Sequence, residues 1–255
     1  MKLRNIYYLP AYWLTLLGFA LGGLEVGCVS LLAGWLPATD DTERFFQRYI
    51  NFHFRCFHEW CALLNLVHVR YEGFERIPAG GAVLVVNHRS LIDITCILAQ
   101  VPEALCIFKP AIRRNPVLGA GARRAGYLSS DGGHQLIRHA VEKVARGQKL
   151  VVFPEGTRAP GRDLLPFKPG FALIARQAGV PIQLLRITTD SNLLTKGRPI
   201  LQLPRFPAHV TISTGPLLAT DHTGRPEELT ASVEAWYRGV PVGDIACVTA
   251  PMALS

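Results

Sequence analysis

A chain of 255 residues with 27 Lys and Arg against 19 Asp and Glu carries a net charge of +8. That length suits one large α/β domain or two small ones, here read as one catalytic domain plus an appendage, and the charge favours anionic partners: nucleic acid, phosphorylated metabolites or acidic lipid head groups. The six cysteines form no C-x-x-C pair and share no metal-like spacing with the eight histidines, which argues against a zinc site and a disulfide scaffold and for a reducing setting.

In chain order, the first expectation is an apolar anchor over residues 1–40. "NIYYLPAYWLTLLGFALGGL", Asn5 to Leu24, is uncharged over 20 residues, about the length that crosses a hydrocarbon core as a helix. Glu25 interrupts it, and a carboxylate at the bilayer centre costs about 3 kcal/mol. Two apolar pieces turning around Gly22, Gly23 and Glu25 are therefore expected, as a membrane hairpin or an embedded anchor. Tyr7, Tyr8, Trp13 and Trp35 suit the interface. The region is too long and aromatic for a secretory signal, and Lys2 and Arg4 favour a cytoplasmic N-terminus. Residues 41–66 form the connection: Phe46, Tyr49, Phe57, Trp60 and Leu64 recur at helical spacing, a stripe that packs on the domain or lies in the interface.

Over residues 67–255 short Val/Leu/Ile runs alternate with helical segments. Strands are expected at Val67–Tyr71, Val83–Val86, Leu105–Phe108, Tyr127–Ser129, Leu150–Phe153, Ile182–Ile187 and Val210–Ser213. Helices are expected at Ser90–Gln100, Pro116–Arg124, Gly133–Arg146, Lys168–Ala178 and Pro226–Arg238. Such runs are strands covered on both faces, so the fold class is α/β, a largely parallel, mixed sheet flanked by helices. Cys96 and Cys106 fall in these runs and read as core. The Pro199–Pro207 piece reads as a surface connection.

Ligands of open α/β sheets gather beyond the carboxyl ends of the strands, and two strand ends are rich in functional groups. "VLVVNHRSLID", Val83 to Asp93, presents His88 and, five residues on, Asp93. Ser90-x-x-Asp93 is a helix capping box on one reading. On the other, a His in the turn and an Asp in the first helical turn converge, the carboxylate fixing the imidazole tautomer and leaving the second nitrogen as a general base. There is no G-x-S-x-G, so that base acts directly on a substrate hydroxyl. "LVVFPEGTR", Leu150 to Arg158, ends in a Pro-Glu-Gly turn. It is either a plain turn with a surface ion pair or a place where the Arg158 guanidinium, with Thr157 and turn amides, binds a phosphate. Lys168 adds a cation shortly after.

Asn-His-x-x-x-x-Asp at 87 to 93, Phe-Pro-Glu-Gly-Thr-Arg at 153 to 158, Pro-Phe-Lys-x-Gly at 166 to 170 and Val-Pro-Ile at 180 to 182 together resemble the glycerolipid acyltransferases, the 1-acylglycerol-3-phosphate acyltransferase family, over roughly Val67 to Ser213. The resemblance implies transfer of a fatty acyl group from acyl-CoA or acyl-carrier protein to a lysophospholipid hydroxyl at a membrane, with no cofactor, metal or nucleic acid. His88 becomes the base and Asp93 its orienting partner. The implied substrate-binding set is Asn87, Arg89, Ser90, Lys109, Glu155, Gly156, Thr157, Arg158 and Lys168, with Arg158 on the acceptor phosphate. Lys109, Pro116 and Gly119 also match, and Lys109 is placed to position substrate or stabilise an oxyanion. The expected location is the cytoplasmic membrane, with the catalytic domain on its cytoplasmic side.

One departure bears on the acceptor. Where the family often has Ile-Asp-Arg, this chain has "GYLSSDGG", Gly126 to Gly133, so Gly132 follows Asp131. A phosphate-binding cation is absent there unless Arg123 or Arg124 compensates. The alternatives are therefore the same chemistry on another acceptor, a lyso-amino lipid or specialised polyene lipid, or a lipid-binding protein without catalysis. A phosphate-ester hydrolase is poorly served, because no carboxylate metal cluster is evident.

Overall fold

The computed structural model describes residues 3–159, 164–220 and 225–240; Lys2 and Cys247 lie outside them. In chain order the elements are α1 (Leu3–Leu32), α2 (Asp40–Leu63), β1 (Val67–Glu72), β2 (Ala82–Val86), α3 (Ile92–Gln100), β3 (Ala104–Phe108), α4 (Pro110–Arg113), α5 (Gly119–Arg124), β4 (Leu128–Ser129), α6 (Gly133–Ala145), β5 (Lys149–Val152), α7 (Gly170–Ala178), β6 (Ile182–Thr189), β7 (Ala208–Leu218) and α8 (Pro226–Tyr237). The strands lie where the apolar runs predict them. The short α4 was not expected, and the following helix starts at Gly119 rather than Pro116.

Among the described residues the seven strands form one sheet in the order β1-β7-β6-β2-β5-β3-β4. All pairs are parallel except β6 with β7, so the sheet is mixed. β2 sits centrally between β5 and β6, and all five of its residues are fully buried. Its alternation divides the core: Ala82, Leu84 and Val86 pack on the side of α1 to α3, Val83 and Val85 on the side of α6 to α8. Cys96 and Cys106 are core residues, and burial pushes both thiols up.

Thr39 caps α2, its hydroxyl accepting from Thr42 N at 3.3 Å, and Asp40, Asp41 and Glu43 lie in the first turn, where the helix dipole favours them. Glu43 and Asp40 pair with Lys143 of α6 and with Arg146 directly after it, fastening α2 to the domain. The buried face of α2 is Phe46, Gln47, Ile50, His58 and Cys61, so the helix packs on the domain; Trp60, counted in the expected stripe, is 39% exposed.

The expected turn at Gly22–Glu25 is absent, because α1 runs unbroken through Glu25. The carboxylate is matched from α2 instead: Tyr49 donates to one oxygen and His53 Nε2 lies 2.6 Å from the other. A charge met this way has no need to break the helix. The chain doubles back later, between Ala33 and Thr39. One side of α1 is buried through Tyr8, Ala11, Tyr12, Thr15 and Val26, while Leu14, Leu17, Leu21, Leu24, Leu31 and Leu32 are exposed. Among the described residues it is the one helix long and apolar enough to cross a membrane.

The Pro199–Pro207 connection is not purely superficial. Phe206 is 4% exposed between Tyr8 and Tyr12, and Tyr12 OH donates to Ile200 O at 2.7 Å.

His58 is buried between α2 and α3, its Nε2 3.1 Å from Thr95 Oγ1, and Nδ1 has no partner. Burial pushes its pKa down from 6.5 to about 4. The neutral form is thus the one the fold stabilises. That contribution is fully present above pH 6.5, is lost as pH falls towards 4, and amounts to roughly 3 kcal/mol at most. The melting temperature in detergent is expected to drop across that window and to drop less in His58→Leu; parallel curves would show that other groups set the acid limb.

Candidate active site

The site begins where β2 ends. Asn87 turns inward and replaces the next rung of the ladder with its side chain: Nδ2 donates to Ile187 O at 3.0 Å, and Oδ1 accepts from Ile187 N at 2.7 Å. The backbone is thereby released into the turn that carries His88. Asp93, 1% exposed, faces back into that turn. Its Oδ2 accepts from Arg89 N at 2.6 Å, Ser90 N at 2.7 Å and His88 Nδ1 at 3.0 Å. The capping and catalytic readings of Asp93 are therefore one arrangement. A carboxylate oxygen that accepts from two amides is an acceptor for the ring as well, so Nδ1 carries the proton and Nε2 is left with its lone pair.

His88 is held from every direction. Its amide donates to Glu155 Oε1 at 2.8 Å and its carbonyl accepts from Ala159 N at 3.0 Å. Phe153 stacks on its ring at 4.1 Å between centroids. The two strand-end turns, of β2 and β5, are thus one unit. Glu155, 4% exposed, spends its other oxygen on Leu165 N at 3.1 Å. Both Glu155 oxygens are thus engaged by backbone amides, one of them the amide of His88. Phe153 was noted in the sequence only as a strand end; its signal was an aromatic residue directly before Pro154.

Gly156 has φ of +67°, which favours glycine, and the Lys168 side chain lies across it, with Nζ 3.1 Å from where a Cβ would stand. Arg158 Nη1 donates to Leu194 O at 2.7 Å, and Lys109 Nζ lies 3.5 Å from Thr157 Oγ1. His88, Lys109, Gly156, Thr157 and Arg158 line one cavity of about 760 Å³ whose remaining wall is mainly apolar, including Phe19, Val26, Phe54, Phe57, Leu98 and Ile107. Gly18 and Gly22 of α1 also line it.

The other expected binding residues stand apart from this cavity. Ser90 is buried with its hydroxyl on Leu193 O at 2.6 Å, and Asn87 is committed to Ile187. Arg89 turns to a smaller pocket, and Lys168 is exposed beside Gly156. Nor does Arg124 replace the missing cation after Asp131. Its Nη2 donates to Ala33 O and Leu36 O, at the end of α1, and its guanidinium lies over Phe46. Arg123 donates to Arg113 O at 2.6 Å.

Chemically, the arrangement offers an imidazole whose Nδ1 meets a carboxylate, with two cations and a mainly apolar wall lining the same cavity. Residues 68–188 match the family model described as Acyltransferase, the segment that builds most of the sheet and both turns. The chain's relatives include proteins named 1-acyl-sn-glycerol-3-phosphate acyltransferase from Helicobacter pylori, 33% identical over 47% of this chain and 53% of the relative, and from Escherichia coli, 32% identical over 47% and 51%. A putative 1-acyl-sn-glycerol-3-phosphate acyltransferase of Caenorhabditis elegans is 30% identical over 67% of this chain and 58% of the relative. The matches thus span only a little over half the length of these curated relatives. The crystal structure of the 1-acyl-sn-glycerophosphate acyltransferase PlsC from Thermotoga maritima superposes with a TM-score of 0.70 at 26% identity, covering 92% of this chain and 93% of that one.

Proposed function

We propose that the protein is a membrane-associated O-acyltransferase that moves a fatty acyl group from acyl-CoA or acyl-carrier protein to the free hydroxyl of 1-acylglycerol-3-phosphate, giving phosphatidic acid. The observation that carries this is the His88–Asp93 pair opening, beside Lys109 and Arg158, onto a mainly apolar cavity of about 760 Å³. His88 Nε2 takes the acceptor hydroxyl proton, the oxygen attacks the thioester carbon, the C–S bond breaks, and the imidazolium returns its proton to the leaving thiolate. Asp93 stabilises the imidazolium in between. Arg158 and Lys109 bind the acceptor phosphate, whose short glycerol link keeps it in the same cavity as the base.

The packing of one narrow side of α1 on the domain supports an interfacial anchor over a spanning one. Its Tyr8–Thr15 face packs on the domain, so the helix lies along the protein, with its leucine face turned to one leaflet. The domain then stands at the membrane surface, on the cytoplasmic side.

The test is product analysis with purified protein in detergent, long-chain acyl-CoA and 1-acylglycerol-3-phosphate. Phosphatidate is expected, with the acceptor KM raised about tenfold or more in Arg158→Gln and kcat less affected. An unchanged acceptor KM would remove Arg158 from the phosphate, and acylation of a neutral lysolipid in preference would move the reading to another acceptor. Gly18 tests the cavity: a Cβ there meets nothing within 4 Å, so Gly18→Leu places its side chain in open space. The acyl-chain profile is expected to shift shorter, with kcat/KM for the longest chain falling about tenfold. An unaltered profile would place the chain elsewhere.

A further inference from the structure

Several cations of the chain are answered by carboxylates: Arg44 and Arg48 meet Glu103, and Lys143 and Arg146 meet Glu43 and Asp40. The stretch that carries α4 and α5 is different. Between Glu103 and Asp131 lie Lys109, Arg113, Arg114, Arg123 and Arg124, and no Asp or Glu. Arg113, Arg114 and Arg123 are exposed, and among the described residues none of the three forms an ion pair. The field of Arg113 reaches Asp131, whose carboxyl the Ser129 hydroxyl holds below its usual range more strongly than Arg113 does.

This segment lies along the second half of α1, and small residues bring the two together. A Cβ on Gly23 would collide with Val117, and one on Gly121 would stand 2.8 Å from Val26 and 3.9 Å from Ser30. Gly27 faces Pro116 O, 3.7 Å from where its Cβ would be. The seam on α1 is therefore Gly23, Val26, Gly27 and Ser30. At about 100° per residue, Leu24 and Leu31 come next around the helix on the Pro116 side, roughly 40–60° beyond Gly27. They are 42% and 68% exposed. Arg114 stands two residues before Pro116, at most about 7 Å away along the chain. At the end of α1, Arg124 holds Ala33 O and Leu36 O beside the exposed Trp35. Glu25, the one acid of α1, is met by Tyr49 and His53.

We infer that the α4–α5 segment docks on the anionic head groups of a lipid surface, forming a cationic rim to the leucine face of α1. The inference rests on the interfacial placement of α1 and deepens it: the helix supplies insertion into any bilayer, and the arginines select an anionic one. A lipid surface rather than an acidic protein is the occupant because the arginines border leucines and a tryptophan, a combination that enters a head-group layer. The inner side of the same segment lines the large cavity through Lys109, Ala111, Ile112, Val117 and Leu118. Docking there seats the cavity against the lipid, and the potential that holds the protein also gathers anionic lysophospholipid beside it.

Co-sedimentation of the full-length protein with vesicles tests this, using phosphatidylcholine alone and phosphatidylcholine with about one-third phosphatidylglycerol, each in low and high salt. Wild type is expected to bind the anionic vesicles at least about tenfold more tightly and to lose that preference in high salt. Arg113→Gln combined with Arg114→Gln is expected to weaken anionic binding about fivefold per charge removed, with neutral binding unchanged. Lys109 is retained as part of the proposed acceptor site, and Arg123 and Arg124 because they bond main-chain carbonyls. Arg70→Gln combined with Arg138→Gln removes the same charge from β1 and from α6 across the sheet, and is expected to bind as wild type does. Unchanged binding to neutral vesicles shows each variant folded. Equal binding of wild type to both vesicles, an equal loss in the control pair, or a loss confined to an acidic carrier protein titrated in parallel overturns the inference. Leu24→Ser combined with Leu31→Ser separates the two readings. Charge-dependent binding that survives it removes the interfacial placement of α1 alone, leucine-dependent binding indifferent to lipid charge removes the inference alone, and a wild type that binds neither vesicle removes both.

Discussion

His88→Ala is expected to lower the rate of acyl transfer by about 10³-fold, and Asp93→Asn by roughly 10²- to 10⁴-fold. The first removes the group proposed to take the acceptor proton. The second removes the charge that would stabilise the imidazolium and reverses the polarity at the Oδ2 position if the amide flips. Asp93 Oδ2 serves three donors, so the amide side chain of the variant keeps an oxygen for the Arg89 and Ser90 amides only by presenting its single carbonyl there. Turn geometry is therefore largely retained while the imidazole loses its counter-charge, and the acceptor KM is expected to stay within a few fold. Normal transfer by both variants would leave Asp93 as a helix cap and end the mechanism.

The second large effect is at Glu155. Family resemblance implies an acceptor-binding residue, whereas its contacts run to the His88 and Leu165 amides, from which a positioning role is expected. Glu155→Ala leaves the His88 and Leu165 amides without an acceptor in a buried place, which costs roughly 3 kcal/mol or more of stability. It also frees the turn that carries the base, so kcat is expected to fall at least about 10²-fold with little change in acceptor KM. Glu155→Gln keeps one acceptor oxygen and is expected to recover part of both. A variant that melts normally and loses only acceptor affinity would return Glu155 to the substrate.

How much of this was legible in the sequence depends on whether the partner was near in the chain. The strands were, because β2 and β5 are covered on both faces and their Val and Leu runs need no partner to be recognised. The His88–Asp93 pairing was, since both belong to one strand-turn-helix passage. The continuity of α1 was not: hydropathy registers Glu25 as a break, and the Tyr49 hydroxyl that meets it lies 24 residues on, on another helix. The backbone contacts of Glu155 were hidden for a related reason, because both its donors are main-chain amides and leave no mark in composition. Arg124 looked like a spare cation; it caps the carbonyls that end α1.

The most direct measurement is thiol release from a long-chain acyl-CoA by the purified protein in detergent, with and without 1-acylglycerol-3-phosphate, beside His88→Ala. The account predicts release that depends on the acceptor and falls about 10³-fold in the variant. Release that proceeds equally without acceptor, or equally in His88→Ala, would contradict it.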